Sequence, residues 1–303
     1  ISMEISHNQI DLSIYLDIRT QSNEFVLDEL MSLIEQLKQT KRLISQDQTF
    51  YSKVHIPEHD QWEISVNKVK ELIQKSEVKK VVLARKTEFT FINEQNPFKM
   101  LNALQTADPN VYHFCFVQES GHAFIGGTPE RLFEVNHHHI ETDAIAGTRF
   151  KTNGRVINDI KHDLLNSIKD KQEHDYVVQH IKSQMQVLCD QASCNKEPST
   201  IELKYLIHLI VTFKGILKRN IQWLDCLSAL HPTPAVAGTP LPEAMSCIHS
   251  LEPFTREWYA GPVGTVTKNT AQILVAIRSG IICRNKVTLY AGAGIVDASN
   301  PSD

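Results

Sequence analysis

The stretch Lys80-Val81-Val82-Leu83-Ala84-Arg85-Lys86-Thr87-Glu88-Phe89-Thr90-Phe91 carries the clearest structural signal in the 303-residue sequence. It opens with β-branched residues and then alternates polar and apolar side chains, so it predicts one long β-strand. Before it, apolar side chains recur at helical spacing over residues 24–44 and again after Asp60, which predicts two helices. After it, Asn96-Pro97 predicts the start of another helix, with proline in the first turn.

Strand-like runs follow one another closely in the rest of the chain, without a regular alternation of strand and helix. They cover residues 111–117, 123–125, 131–135, 139–145, 261–267, 272–282 and 286–290, and the more ambiguous run 201–217 favours a strand. Helices are predicted over 158–190 and after Pro242. The sequence therefore predicts an α+β fold with large, mainly antiparallel β-sheets and helices packed outside. No linker divides the chain, which indicates one domain or two closely packed lobes.

Composition excludes several classes of protein. The net charge of −4 offers no basic surface for a phosphate backbone, so nucleic acid is not an expected partner. No run of 18 apolar residues predicts a membrane-spanning helix, and no signal-peptide pattern opens the sequence. The six cysteines form no C-x-x-C pair and never combine with histidine at zinc spacing. These features predict reduced thiols and a cytoplasmic protein.

Five stretches are denser in glycine, proline and isolated charge than a buried core requires. They are residues 126–131 (GGTPER), 144–149 (AIAGTR), 231–238 (HPTPAVAG), 252–261 (EPFTREWYAG) and 289–296 (LYAGAGIV). Each stretch taken alone is compatible with a turn between strands. None matches a P-loop or a G-x-G-x-x-G sequence, so a nucleotide site is not indicated.

Taken together and in this order, the five stretches resemble the chorismate-utilising enzyme family, most closely the isochorismate synthases of menaquinone biosynthesis. The resemblance extends from about Lys79 to the end of the sequence. It implies the chorismate-binding fold of anthranilate synthase component I. It also implies that residues 80–303 form the chorismate-binding catalytic region without the family's C-terminal tail. Residues 1–79 are then expected to be an incomplete N-terminal portion of the same fold.

The resemblance implies a specific reaction, in which water adds at C2 of chorismate while the C4 hydroxyl leaves and the ring double bonds shift. This chemistry needs a base for the water and an acid for the leaving oxygen. Lys80 matches the family's base and Glu130 its acid. Judged from the residues alone, Lys80 could instead be a solvated strand flank, and Glu130 could pair with Arg131. A lysine that acts as a base must be neutral, so we expect Lys80 to be buried or near another cation.

Chorismate is a dianion, so the rest of the site should bind carboxylates. By resemblance, the substrate-binding residues are Gly147, Thr148, His208, Ala235, Tyr259, Arg278, Gly292 and Gly294. Arg278 is also a candidate on its own, because a charge within so apolar a predicted strand is hard to explain structurally. Gly292-Ala293-Gly294 is expected to be a turn that offers backbone N–H donors. His208 could equally be a core histidine with satisfied hydrogen bonds.

The resemblance further implies Mg²⁺ as cofactor, with Glu173 as one oxygen ligand. From the residues alone, Glu173 would be a favourable charge near a helix N-terminus. Lys80 and Ala146 argue against the amine-adding members of the family. A salicylate synthase, a siderophore-pathway isochorismate synthase and an inactive chorismate-binding homologue remain as alternatives. The expected partner is the small molecule chorismate, and the expected state is a monomer or homodimer.

Overall fold

A computed structural model describes residues 2–6, 9–13, 31, 49–119, 121–152 and 154–302. The chain divides into two compact units, residues 1–46 and 47–303. In the first unit, strands β1 (Ser2–Ser6) and β2 (Gln9–Ser13) pair antiparallel. The helix predicted over 24–44 lies outside the described residues, except for Met31. Within the described part of the chain, no helix combines the length and the apolar character needed to cross a bilayer.

The second unit alternates strands and helices irregularly. In chain order its elements are β3 (Phe50–Ile56), α1 (His59–Gln74), β4 (Lys80–Phe91), α2 (Pro97–Ala107), β5 (Tyr112–Glu119), β6 (His122–Thr128), β7 (Arg131–Asn136), β8 (His139–Phe150), α3 (Ile157–Asn166), α4 (Ile168–Leu188), β9 (Cys189–Cys194), β10 (Ser199–Glu202), β11 (Leu206–Leu217), α5 (Trp223–Leu230), β12 (Gly238–Thr239), α6 (Leu241–Leu251), β13 (Pro262–Val266), β14 (Thr270–Val275), β15 (Ser279–Cys283) and β16 (Lys286–Ile295).

These strands form two seven-stranded antiparallel sheets. The first sheet has the order β12-β4-β16-β15-β6-β5, and β3 also pairs with β4. The second sheet has the order β10-β11-β8-β7-β14-β13, and β9 also pairs with β11. Helices α1 and α6 pack on β4, whereas α4 packs on β8 and β11. The predicted α+β fold with large antiparallel sheets and outer helices is confirmed.

Strand β4 shows how the alternating sequence builds the first sheet. Val81 and Leu83 point to one face, where they pack with Val66 and Val69 of α1. Ala84 points to the opposite face and joins a core cluster that also contains residues of the second sheet. Burying apolar side chains on both faces of one strand stabilises the sheet and fixes its register. The side chain of Lys80 is therefore held between layers of packed structure.

Helix boundaries follow the sequence closely, with one local difference. Asn96 caps α2 as predicted, because its side chain accepts hydrogen bonds from the backbone N–H groups of Phe98 and Lys99. Helix α1 begins at His59, so Asp60 does not precede the helix as the sequence predicted. Asp60 lies instead in the first turn, where its negative charge interacts favourably with the helix dipole. In α4, which lies within the helical range predicted over 158–190, the apolar side chains of Val177, Ile181, Met185 and Leu188 are buried.

The largest difference from the sequence prediction lies between residues 272 and 282, which do not form one strand. Strand β14 ends at Val275 in the second sheet, and β15 starts at Ser279 in the first. Arg278 lies in the link and has a positive φ of 50°. The apolar run is therefore continuous in sequence while its two halves belong to different sheets.

A second link between the sheets lies beside the first. Strand β6 belongs to the first sheet and β7 to the second, and Pro129-Glu130 joins them. The two links bond to each other, since the Val275 N–H donates to the Glu130 carbonyl at 3.0 Å and the Gly127 N–H donates to the Arg278 carbonyl at 3.2 Å. Glu130 and Arg278 are thus brought together where the chain passes twice from sheet to sheet.

Candidate active site

Lys80 opens strand β4 and is completely buried. Its Nζ lies 3.2 Å from Oε1 of Glu173, which projects from the first two turns of α4. The geometry is that of an ion pair, and within the described residues Nζ has no hydrogen-bond acceptor. The predicted alternative of a solvated strand flank is therefore wrong, because Lys80 occupies the inward face of the strand while its neighbour Lys79 is exposed.

Gly294 explains how Glu173 and Lys80 come so close to the sheet. It lies in β16 opposite Val82 of β4. A Cβ atom at this position would overlap Oε1 of Glu173 and would lie 3.2 Å from Cε of Lys80. Glycine at residue 294 therefore provides the space that the ion pair occupies. The predicted turn over Gly292-Ala293-Gly294 is wrong, since these residues are a regular part of β16 and serve close packing rather than chain reversal.

Glu130 is the second buried ionisable group of the site, with 4% of its surface exposed. Burial raises the pKa of its carboxyl group to about 7, and the charge of Asp143 adds to this effect. The charges of Lys80 and Arg278 act in the opposite direction but do not cancel it. A carboxyl group with such a pKa can hold and release a proton near neutral pH.

Arg131, the neighbour of Glu130, is engaged elsewhere. Its guanidinium lies 3.0 Å from Asp143, 3.2 Å from Glu134 and 3.3 Å from Glu141. Glu130 and Arg131 therefore do not pair in the described structure. Arg131 bonds to three other carboxylates, whereas the charges that lower the pKa of Glu130 are those of Lys80 and Arg278.

Arg278, His208 and Thr148 form a hydrogen-bonded chain. Nη2 of Arg278 lies 2.7 Å from Nε2 of His208, and Nδ1 of His208 lies 2.9 Å from Oγ1 of Thr148. Because a guanidinium only donates, Nε2 must accept, and Nδ1 carries the proton that His208 donates to Thr148. Burial, assisted by the charge of Arg278, lowers the pKa of His208 to about 4, so the ring stays neutral. His208 is thus a satisfied buried histidine that also orients Arg278.

Gly147 forms a β-bulge where β8 pairs with β11. His208 lies opposite Thr148 and Leu209 opposite Ala146, so Gly147 has no partner residue. Its φ of +71° suits glycine, and a Cβ there would lie 3.1 Å from Cβ of Asp170. The bulge re-aims Thr148 towards His208 and sets Gly147 against the start of α4.

Tyr259 lies against Gly292 of β16. It is buried, and its ring stacks on Tyr290 with centroids 5.2 Å apart. Its hydroxyl lies so close to Gly292 that a Cβ there would be only 2.7 Å away. Burial raises the pKa of the Tyr259 hydroxyl, which therefore stays a hydrogen-bond donor at neutral pH. Beyond Leu289, β16 has lost its pairing with β15 and keeps only β4 as neighbour.

The remaining predicted residue, Ala235, lies in the loop between α5 and β12. Its N–H donates to Oγ1 of Thr233 at 3.2 Å, and the loop follows the edge of β4, since the Val82 N–H donates to the Ala237 carbonyl. Glu252 and Arg256, which lie in the stretch 252–261 but were not predicted as site residues, bond to this same edge. The helix ends at Leu251, so Arg256 lies beyond it and helical spacing does not predict this ion pair.

A magnesium site requires several converging oxygen ligands. Within the described residues, no three histidine, cysteine, aspartate or glutamate side chains are grouped to hold a metal ion. Glu173 offers one carboxylate, which lies against the Lys80 ammonium. These residues alone do not fit a complete Mg²⁺ site, and no step of the chemistry is assigned to a metal.

The arrangement combines one buried lysine, one buried carboxyl group that titrates near neutral pH, and one arginine held by a neutral histidine. Lys80 and Arg278 both act electrostatically on Glu130, as Glu130 acts on Tyr259, so these groups share one region between the sheets. Such a region can bind an anion and move protons to and from it.

Comparison with known proteins places the chain among enzymes of one family. A family model described as "Chorismate binding enzyme" matches residues 1–303, including the first 79 residues, where the sequence offered no recognisable motif. Isochorismate synthase 2 of the Arabidopsis thaliana chloroplast is 37% identical over 255 residues, which are 83% of this chain and 45% of that protein. The chain spans about half the length of curated relatives that it matches, at 45%, 48% and 55% for three of them.

Solved structures give the same picture. The menaquinone-specific isochorismate synthase MenF of Escherichia coli superposes with a TM-score of 0.84 at 32% identity, covering 91% of this chain and 64% of that one. Anthranilate synthase component I of Streptococcus pneumoniae superposes with a TM-score of 0.83 at 24% identity, covering 97% and 66%. The second similarity confirms the predicted fold type.

Proposed function

Because the chain belongs to the chorismate binding enzyme family, we propose that the full-length protein is an isochorismate synthase that supplies menaquinone biosynthesis. The relatives named isochorismate synthase support this proposal. The observation that carries it is the pair of buried ionisable side chains, Lys80 on β4 and Glu130 on the link between the sheets. Water addition with loss of a hydroxyl requires a base and an acid of this kind.

The ion pair with Glu173 contains the ammonium form of Lys80, so in the proposed reaction this form must first release its proton to solvent. The neutral amine then takes a proton from a water molecule whose oxygen bonds to C2 of chorismate. The ring double bonds shift, the bond between C4 and its oxygen breaks, and Glu130 gives its proton to the departing oxygen. One water enters and one leaves, so substrate and product are isomers. In the reverse direction the two groups exchange roles, which is possible because their protonation states are opposite.

Two sets of groups would bind the two carboxylates of chorismate. Arg278 and Tyr259, with the backbone of β16 near Gly292 and Gly294, are proposed to hold one of them. Gly147 and Thr148 are proposed to hold the other, with His208 and Ala235 near the ring. The neutral His208 supports this assignment, because it directs the Arg278 guanidinium without competing for the anion.

We also propose that turnover depends on Mg²⁺, to which Glu173 would contribute one carboxylate oxygen. When bound, the ion would neutralise charge on the substrate. The enzyme is proposed to work in the cytoplasm on chorismate as its small-molecule partner.

The test is to incubate the full-length protein with chorismate and Mg²⁺ and to separate the products. Wild-type protein should form isochorismate, and EDTA should prevent this. Lys80→Ala should abolish turnover while circular dichroism stays unchanged. Lys79→Ala is the matched control, since the adjacent lysine is exposed, and it should keep wild-type activity.

Other outcomes would contradict specific parts of the proposal. Salicylate with pyruvate as the main products would identify a salicylate synthase. Tight chorismate binding by intact protein without turnover would identify a binding homologue. Unchanged activity of Lys80→Ala would refute the assigned base.

A further inference from the structure

The edge of β4 that faces β12 and β3 is interrupted next to Lys80, the proposed base. Strand β12 pairs only with Lys80 and Val81, and β3 begins to pair at Lys86. The Val82 N–H still finds the Ala237 carbonyl. The Val82 carbonyl and the Ala84 N–H, however, have no strand to bond to. Buried backbone groups of this kind are nearly always paired in folded proteins.

Glu252 and Arg256 supply the missing partners. Oε1 of Glu252 accepts from the Ala84 N–H at 2.7 Å, and Nη2 of Arg256 donates to the Val82 carbonyl at 2.7 Å. Between β12 and β3, the two side chains thus make the hydrogen bonds to the β4 backbone that a paired strand would otherwise make.

Glu252 and Arg256 also bond to each other and to a neighbouring loop. Nε of Arg256 donates to Oε2 of Glu252 at 2.9 Å, and the side chains are only 17% and 4% exposed. Nη1 of Arg256 donates to the Val236 carbonyl at 2.7 Å, in the loop that contains Ala235. The guanidinium therefore joins three segments, which are the end of helix α6, strand β4 and the loop before β12.

A lysine could not replace this arginine. Three acceptors lie around the guanidinium in different directions, and a planar fork with five N–H groups reaches them at once. An ammonium is a single point charge at the end of a flexible stem. Replacing Glu252 by glutamine keeps an acceptor for the Ala84 N–H but removes the charge that holds Arg256.

We propose that Glu252 and Arg256 are positioning residues that set the place of Lys80 in the site by holding β4 and the 231–237 loop in register. This inference rests on the proposed function, because its effect is expressed in the step that Lys80 performs. Neither residue needs to touch the substrate. Lys80 is two residues from Val82, so a shift of this edge moves its Nζ relative to the reacting carbon.

The kinetic test uses Arg256→Lys and Glu252→Gln in the full-length protein. A misplaced base slows the chemical step, so kcat should fall about 10-fold to 100-fold. KM should change much less, since Arg278 lies on another element and the Tyr259 N–H bonds to the Arg256 backbone carbonyl, which neither substitution removes. Arg155→Lys is the matched control, because it makes the same change in an exposed pair with Asp163 and should leave kcat unchanged.

A second measurement separates positioning from a general loss of folded protein. In Arg256→Ala, added guanidinium ion should restore a large part of kcat by occupying the site of the lost side chain. Guanidinium would further weaken a protein that is merely destabilised. Unchanged kcat in both variants, or a loss that guanidinium deepens, would overturn the inference.

The structural basis can be tested without turnover. Amide exchange measured by mass spectrometry on the peptide over residues 80–86 should become about tenfold faster in Glu252→Gln, as expected for a weakened hydrogen bond to a charged group. Exchange at the wild-type rate would overturn the inference. If wild-type protein fails to convert chorismate while this exchange increases, the proposed function fails and the role of the pair in holding β4 stands.

Discussion

Glu130 shows how strongly a single environment can change the chemistry of a side chain. It shares a buried region with two cations, yet burial dominates and raises the pKa of its carboxyl group to about 7. An ordinary exposed glutamate would be ionised at neutral pH and could not act as an acid. The position of Glu130 in a link between two sheets, rather than its sequence neighbours, creates this property.

The pH dependence of the reaction should report this carboxyl group. Glu130 must be protonated to deliver a proton, so kcat/KM for chorismate should fall as pH rises through about 7. Glu130→Gln should lower kcat by about 100-fold or more and remove this limb of the profile. Initial rates measured across the pH range test the assignment. If kcat/KM of Glu130→Gln still falls at the same pH, the fall belongs to a different ionisable group.

The same pKa shift predicts that stability depends on pH. The unfolded chain loses this proton near pH 4.5 and the folded chain near pH 7, so the folded state binds more protons between these values. The free energy of unfolding contributed by Glu130 therefore falls as pH rises across this window. Glu130→Gln should be more stable than wild type by up to about 3 kcal/mol at pH 8. Urea unfolding should show little difference at pH 4.5, and an equal difference at both pH values would contradict the shift.

Gly294 offers a test of the Lys80–Glu173 pair. In Gly294→Ala the new methyl group would overlap the Glu173 carboxylate and press on the Lys80 side chain. Displacing the proposed base should lower kcat/KM about 10-fold to 100-fold. Ala293→Ser is the control, because the neighbouring side chain is exposed and points to the other face of β16. Equal kcat/KM values for the two variants would show that the Lys80–Glu173 pair does not need the space left by Gly294.

At the scale of elements, the regular patterns of the sequence predict the regular parts of the fold. The alternation over 80–91 and the stripe from Val177 to Leu188 give β4 and α4 with bounds close to those observed. Strand β3 was not predicted, because its apolar residues Phe50, Tyr51, Val54 and Ile56 do not alternate regularly with polar ones. Helix α5 was not predicted either, although Trp223, Cys226, Leu227 and Leu230 recur at helical spacing along it.

Sheet membership could not be predicted from the same patterns. Periodicity along residues 272–282 shows that the segment is extended and apolar, but it is the same whether the chain stays in one sheet or passes to another. Arg278 marks the change of sheet, and its charge suggested a binding role rather than a link. The turn predicted at Gly292 and Gly294 is wrong for a related reason, since both turns and closely packed strands favour glycine.

The bulge in β8 makes a prediction at this scale. Gly147→Ala should destabilise the fold by about 1–3 kcal/mol, because it combines a positive φ with contacts to Asp170. It should also raise KM for chorismate, since Thr148 follows directly. Gly154→Ala isolates the backbone effect, because Gly154 has a φ of +87° and nothing within 4 Å of an added Cβ. Urea unfolding and KM should be measured on both variants. Equal KM values for the two variants would show that the bulge does not contribute to substrate binding.

At the scale of the whole molecule, the candidate site is an assembly of distant segments. Lys80 and the β16 glycines come from the first sheet, Thr148 and His208 from the second, and Glu130 and Arg278 from the links between them. Spacing along the sequence does not predict these contacts. The family resemblance grouped the motifs as one candidate site, and the two neighbouring links explain physically why segments so far apart meet.

The central claim is that this site adds water to C2 of chorismate while the C4 hydroxyl leaves. It is tested most directly by letting the full-length protein convert chorismate in water labelled with heavy oxygen and measuring the mass of the isochorismate formed at early times. The account predicts that each product molecule carries one labelled oxygen, at C2, and that Lys80→Ala forms no labelled product. Isochorismate without label would show that the original hydroxyl migrates within the substrate, which would contradict the roles given to Lys80 and Glu130.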